Sequence, residues 1–224
     1  MTFSLVVRDG ERFGIAVSSS SPAVAARVAH LRPGIGAAAS QNVTDPTLGT
    51  RLLERLAEHG DAQRALAEVT GAAGNAANID YRQLTVLGTS GPGYAYSGSR
   101  TLGKHASATA DGAVAAGNML SGEHIPDVLL DAYFGASGEV EERLVAALRA
   151  AVAAGGEEGP VHSVGLAVVA DVDWRVTDLR VDWADDPIER LAELLDIWLP
   201  QRDDYVRRGL DPVGAPSYGV PGDL

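Results

Sequence analysis

The first twenty residues constrain the fold most. TFSLVVR (residues 2–8) alternates as a strand does and is β-branched at its centre, and FGIAVSSS (Phe13–Ser20) is a second run of the same kind. Between them, DGER (Asp9–Arg12) is a turn signal. Two extended runs joined by so short a connection form a β-hairpin, so the chain opens in an antiparallel sheet.

The later segments sort by period. Pro22–Leu31 is apolar with small residues, and IGAAASQN (Ile35–Asn42) reads as a buried strand. Asp45 caps a helix that carries Leu48, Leu52, Leu53 and Leu56 on one face and stops at His59-Gly60; Asp61 caps a second, to about Thr70. Strands follow at Tyr81–Gly88, Tyr94–Ser99, His105–Asp111 and Gly112–Asn118. Ile125–Phe134 and Glu139–Ala154 are helical, Gly155–Pro160 is a loop, and Ser163–Asp171 and Trp174–Asp182 are strands. A last helix has Asp186 as N-cap and Pro187 at its first position, and runs through Arg208. Residues 1–208 are expected to form one domain and 209–224 a Gly/Pro-rich arm. Strands and helix pairs come in blocks without βαβ alternation, which predicts an α+β fold of two packed sheets with helices on their outer faces.

Composition removes several classes of function. Aromatic residues are 5% of the 224, so Ala, Val, Leu and Ile must build the core. With no cysteine there is no disulfide scaffold, thiolate metal site or cysteine nucleophile. The net charge is −12 and no basic stripe is visible, which argues against a nucleic-acid partner. No apolar run reaches the roughly 18 residues that span a membrane, and no secretory signal precedes the hairpin, so no membrane partner and a cytoplasmic location are expected. His30, His59, His105, His124 and His162 form no metal-binding pair, so neither a metal nor another cofactor is expected. GTSGPG (Gly88–Gly93) lacks the G-K-[ST] ending of a phosphate loop and reads as a hairpin turn.

Several separated strings resemble one family: MTFS, GIAVSSSSPAVAARV, GIGAAASQN, SGSR, AAGNML and RVDWADDPIERLAELL. In this order they are similar to the bacterial and archaeal family catalogued as domain of unknown function 1028, over roughly residues 1–200. That family is placed among the N-terminal-nucleophile (Ntn) hydrolases. The resemblance implies a four-layer αββα sandwich, two antiparallel sheets flanked by helices, and carries no substrate with it. One departure is plain. Proteasome-like members of the superfamily have an acidic residue after the second strand and a lysine near the third. Here Ser18–Ser21 follow the hairpin and the nearest base is Arg27.

Thr2 is the first candidate for chemistry. With Met1 removed it would carry a hydroxyl nucleophile and, in its own α-amine, the base that activates it; with Met1 in place it is an ordinary strand threonine. Ser19 falls on the same face as Thr2 if the hairpin pairs as expected. Gln41 and Asn118 each follow small residues at a strand end, where an amide can donate to an oxyanion or make a structural hydrogen bond. Asn42 (alternatively a turn residue), Arg100 as a carboxylate clamp and His105 as an acid or base complete the candidate substrate-binding set. The expected function is an amidohydrolase cleaving a small amide or cyclic amide, with Thr2 attacking and Gln41 and Asn118 stabilising the oxyanion. The alternatives are a non-catalytic protein that binds a small molecule or serves in an assembly, which predicts that Met1 is retained, and a hydrolase using an internal serine. Trp198, Tyr205 and the arm after Gly209 are candidates to cover a second copy in a homo-oligomer.

Overall fold

A computed structural model describes residues 1–217. In chain order its elements are β1 (Thr2–Asp9), β2 (Arg12–Ser19), α1 (Ala25–Val28), β3 (Ala29–Arg32), β4 (Gly36–Asn42), α2 (Pro46–His59), α3 (Ala62–Gly71), β5 (Arg82–Gly88), β6 (Tyr94–Ser97), β7 (Ala106–Ala110), β8 (Ala113–Asn118), α4 (Ile125–Gly135), α5 (Val140–Ala153), β9 (Ser163–Val169), β10 (Arg175–Val181), α6 (Pro187–Trp198) and α7 (Arg202–Leu210). The strands form two antiparallel sheets, ordered β10-β9-β2-β1-β8-β7 and β3-β4-β5-β6.

Strand alternation decides the layering. Phe3, Leu5 and Val7 point to one face of β1 and pack with Leu129, Leu144 and Leu148 of α4 and α5. Val6, with Ile15 and Val17 of β2, points to the other face and meets Ala37, Ala39 and Leu87 of the second sheet. The outer face of that second sheet buries Ala38, Leu84 and Val86 under Leu48, Leu52 and Leu56 of α2. Three apolar layers therefore separate four layers of structure, which is the αββα sandwich. Small residues at 37–39 and 113–116 let the sheets and helices approach closely without large aromatic side chains.

Local signals act as read at several places. Asp45 Oδ1 accepts from the Thr47 N–H at 3.0 Å and Asp61 Oδ1 from the Arg64 N–H at 2.9 Å, capping α2 and α3. Gly60 ends α2 at φ 73°, a left-handed conformation that glycine adopts without steric cost.

Other expectations are corrected. Asp186 stands at the N-cap of α6, but its side chain accepts no capping hydrogen bond. The last helix is divided: α6 stops at Trp198, a 3₁₀ turn spans Leu199–Gln201 with Pro200 in it, and α7 then continues to Leu210, past the expected start of the arm. Proline lacks the N–H that an uninterrupted helix needs there. Residues 211–217 follow as turns and irregular chain, while 218–224, the rest of the arm, lie outside the described residues. The Trp198 indole N–H donates to Thr177 Oγ1 at 3.1 Å and its ring stacks on Tyr205, which remains exposed. No helix among the described residues is long and apolar enough to cross a membrane.

Candidate functional site

The register of three adjacent strands brings Thr2 opposite Ser19 on one side and opposite Asn118 on the other. Thr2, Ser19 and Asn118 lie on the same face as Val6, Ile15 and Val114, the face turned to the second sheet. Thr2 is 8% exposed and Ser19 is fully buried. Their hydroxyl oxygens are 3.2 Å apart, and both donate to the Met1 carbonyl oxygen at 2.5 Å. Ser19 Oγ also accepts the Ser21 N–H at 3.0 Å, which holds it in place.

Behind this pair lies a polar chain between the sheets. Ser4 Oγ donates to Gln41 Oε1 at 2.7 Å, and Gln41 Nε2 donates to Gln83 Oε1 at 2.8 Å and to the Ala116 carbonyl at 3.2 Å. Gln83 Nε2 donates to the Gly117 carbonyl and Ser97 Oγ, while Asn118 Nδ2 donates to Gln83 Oε1 at 3.0 Å. Both amide hydrogens of Gln41 are therefore committed. It is a strut that fixes Gln83, and the expectation that it faces an oxyanion is corrected on that ground. Asn118 spends one amide hydrogen on Gln83 and sits directly across from Thr2.

The other expected residues do not join this cluster. Asn42 has a left-handed backbone (φ 64°) and donates to the Tyr81 carbonyl at 2.6 Å, so it acts as the turn residue. Arg100 lies over the Tyr81 ring, 5.1 Å from its centroid, and donates to the Tyr81 hydroxyl. His105 places Nδ1 3.1 Å from the Gly103 carbonyl in its own loop. Arg27 donates to the Pro22 and Ala23 carbonyls. Among the described residues no group of His, Cys, Asp and Glu side chains is arranged to hold a metal ion.

The sequence reading missed Glu157. Its segment, GGEEGP, looks like a solvated loop, yet Glu157 is only 4% exposed while its neighbour Glu158 is on the surface. Leu120 and Glu157 form an isolated bridge, and the Glu158 N–H donates to the Met119 carbonyl at 2.9 Å, so the loop is stitched to the chain just beyond Asn118. Neither carboxylate oxygen has a hydrogen-bond partner. Burial raises its pKa to about 7, opposed by the charge of the Met1 amino group and by the Ser20 N–H and hydroxyl, which lie near the carboxylate without reaching hydrogen-bond geometry. Only the flanking glycines hinted at a special backbone here: Gly155 and Gly156 have φ 116° and 55°.

Backbone strain gathers at the same end of the sandwich. Among the described residues, the non-glycine residues with left-handed φ are Ala23, Asn42 and Met119, which follow or end β2, β4 and β8. Each such conformation costs roughly 1–2 kcal/mol, and strain of this kind concentrates where a site is shaped. Cavities of about 500 and 530 Å³ open elsewhere, one near Gly10 and Asp171 at the far end of the hairpin and one between α5 and α6.

The described family of unknown function DUF1028 matches residues 2–191. Among solved structures, the protein SPO2555 from Silicibacter pomeroyi, a member of that family, superposes with a TM-score of 0.82 at 27% identity, covering 92% of this chain and 90% of its own. Eukaryotic HslV from Trypanosoma brucei gives a TM-score of 0.47 at 14% identity, over 74% of this chain and 98% of its own. No curated protein matches the chain.

Proposed function

This chain belongs to the family of unknown function DUF1028, and from that premise we propose that it is an amidohydrolase whose nucleophile is Thr2, exposed by removal of Met1. The observation that carries the reading is the Met1 carbonyl, held by the hydroxyls of Thr2 and Ser19 at 2.5 Å each. A carbonyl oxygen already sits where an attacking hydroxyl and a donor converge. With Met1 gone, the Thr2 α-amine has a reference pKa of about 7.7–8.0, low enough to take the proton of the attacking hydroxyl near neutral pH.

Each neighbour has a part in this chemistry. Thr2 Oγ adds to the amide carbonyl, and the proton passes through the α-amine to the leaving nitrogen as the C–N bond breaks. Water then hydrolyses the ester, and the hydroxyl is restored. Ser19 Oγ and the uncommitted amide hydrogen of Asn118 donate to the oxyanion; Gln41 and Gln83 are positioning residues that hold Asn118. Preorganised donors of this type contribute a large share of the rate in acyl transfer.

The test is a Thr2 series on protein whose intact mass shows Met1 lost, assayed against a panel of small amides. Thr2→Ala is expected to lower kcat by about 10³-fold or more, and Thr2→Ser to retain activity. Full turnover by Thr2→Ala, or retention of Met1 on active protein, rules out the terminal-amine mechanism.

A further inference from the structure

The catalytic scheme leaves Glu157 without a task. A carboxylate that is 4% exposed, with both oxygens unpartnered, is costly to keep. The positive charge of the Met1 amino group acts on it without forming an ion pair, and Gly159, two residues further on, lies against the Met1 side chain. We propose that Glu157 is the recognition group for a free amino group on the substrate, so that the site takes small amides of α-amino acids whose amine is unblocked; this rests on the reading that Thr2 is the nucleophile.

Met1 supplies the template. It is an α-aminoacyl group joined by an amide to the Thr2 nitrogen. Its carbonyl oxygen lies between the Thr2 and Ser19 hydroxyls, its amino group is near enough for its charge to lower the Glu157 pKa, and its side chain ends on Gly159. A Cβ at Gly159 would stand 2.8 Å from Met1 Cε, so a side chain at that position would intrude on the space the acyl side chain uses. When Thr2 Oγ attacks an aminoacyl amide, the resulting ester carries an α-aminoacyl group on Thr2 Oγ in place of the Thr2 nitrogen. The two attachment atoms belong to the same residue, so the acyl group falls in the space of Met1. The amide nitrogen leaves with a proton, and water releases the free amino acid.

Recognition follows from charge. Loss of Met1 takes away a positive charge that acts on Glu157. A substrate ammonium replaces that charge and forms a charge-assisted hydrogen bond. An N-acylated amide offers no charge and leaves the carboxylate unpaired.

Binding separates this inference from the nucleophile reading. Protein beginning at residue 2 is released from a cleavable fusion, and calorimetry compares L-methioninamide with N-acetyl-L-methioninamide, using Thr2→Ala so that turnover does not intervene. The free amine is expected to bind about tenfold or more tighter, and Glu157→Gln to remove most of that preference. Equal binding of the two compounds, or no binding of methioninamide, overturns the inference; neither result needs the Glu157 variant to fold. Turnover assays then divide the remaining cases. If free and acetylated amides are hydrolysed equally and Thr2→Ala is inactive, recognition by Glu157 fails and the nucleophile stands. If the binding preference holds but Thr2→Ala turns over as the parent does, the nucleophile fails and the recognition stands.

Discussion

A buried carboxyl whose pKa is raised to about 7 leaves a signature on stability. The ordinary carboxyl of an unfolded Glu157 titrates near 4.5, whereas burial raises it to about 7 in the folded chain. Below the unfolded value both states hold the proton, and Glu157 adds no pH dependence. Between the two values the unfolded chain releases its proton while the folded chain retains it, so stability falls as pH rises and levels off above the folded value. The loss is on the order of 3 kcal/mol at most. Urea unfolding from pH 4 to 8 is expected to show this decline in the parent protein carrying Met1 and a flatter profile in Glu157→Gln. An unchanged profile in the variant would mean that other groups carry the dependence. The same residue marks a limit of sequence reading. Thr2 and Ser19 are legible together because strand alternation across a hairpin places side chains by counting, whereas Asn118 shows in the sequence only as an amide at the end of a small-residue strand, and its place opposite Thr2 comes from the register. Glu157 sits in a glycine-rich loop with no period, and nothing local separates it from the exposed Glu158.

At the scale of the element, α2 shows how a tertiary contact reverses a helix propensity. Gly49 lies inside α2, where alanine is ordinarily better by up to about 1 kcal/mol. Here the His30 ring from β3 rests on the helix backbone, and a Cβ at Gly49 would stand 2.1 Å from His30 Cδ2. The gain in propensity is then outweighed by overpacking of roughly 1–3 kcal/mol. Gly49→Ala is expected to lower the urea midpoint, and Gly49→Ala combined with His30→Ala to recover part of the loss; a stabilised single variant would refute this packing. The helices themselves were readable from their leucine periods and from Asp45 and Asp61. The division between α6 and α7 was written in Pro200, yet the apolar and charged pattern on both sides of it suggested one helix. Pro22–Leu31 resolves into α1 and β3, too short for either period to declare itself.

Across the whole molecule, a buried ionic network attaches the C-terminal helix to the sandwich. Glu141 of α5 is fully buried and accepts from Thr177 of β10 at 2.7 Å. Arg202, at the start of α7, donates to both Glu141 oxygens at 3.2 and 3.3 Å and to Glu139 Oε2 at 3.1 Å; Glu139 also accepts from Arg12 of β2. Removing one partner of such a pair strands the other charge. Arg202→Ala is expected to cost about 3 kcal/mol in equilibrium unfolding, with Arg202→Met plus Glu141→Leu costing much less. A neutral Arg202→Ala would show that α7 contributes little to the stability of the sandwich. The helix thereby belongs to the folded domain, and the chain leaves regular structure only after Leu210.

What the sequence determined by itself is what short-range geometry dictates. A two-strand opening with a tight turn must be antiparallel, apolar alternation must face a core, and the absence of crossover units excludes a parallel sheet. Those rules act between residues close along the chain, so they can be read from it. The tertiary structure alone decided that Gln41 is consumed as a strut by Gln83, that Arg100 and Asn42 serve Tyr81, and that the loop glutamate Glu157 is buried. Each depends on which groups meet across separations such as 19 residues for Arg100 and Tyr81 or 42 for Gln41 and Gln83, where the hydrogen-bonding capacity of one side chain is spent by another that no local pattern announces.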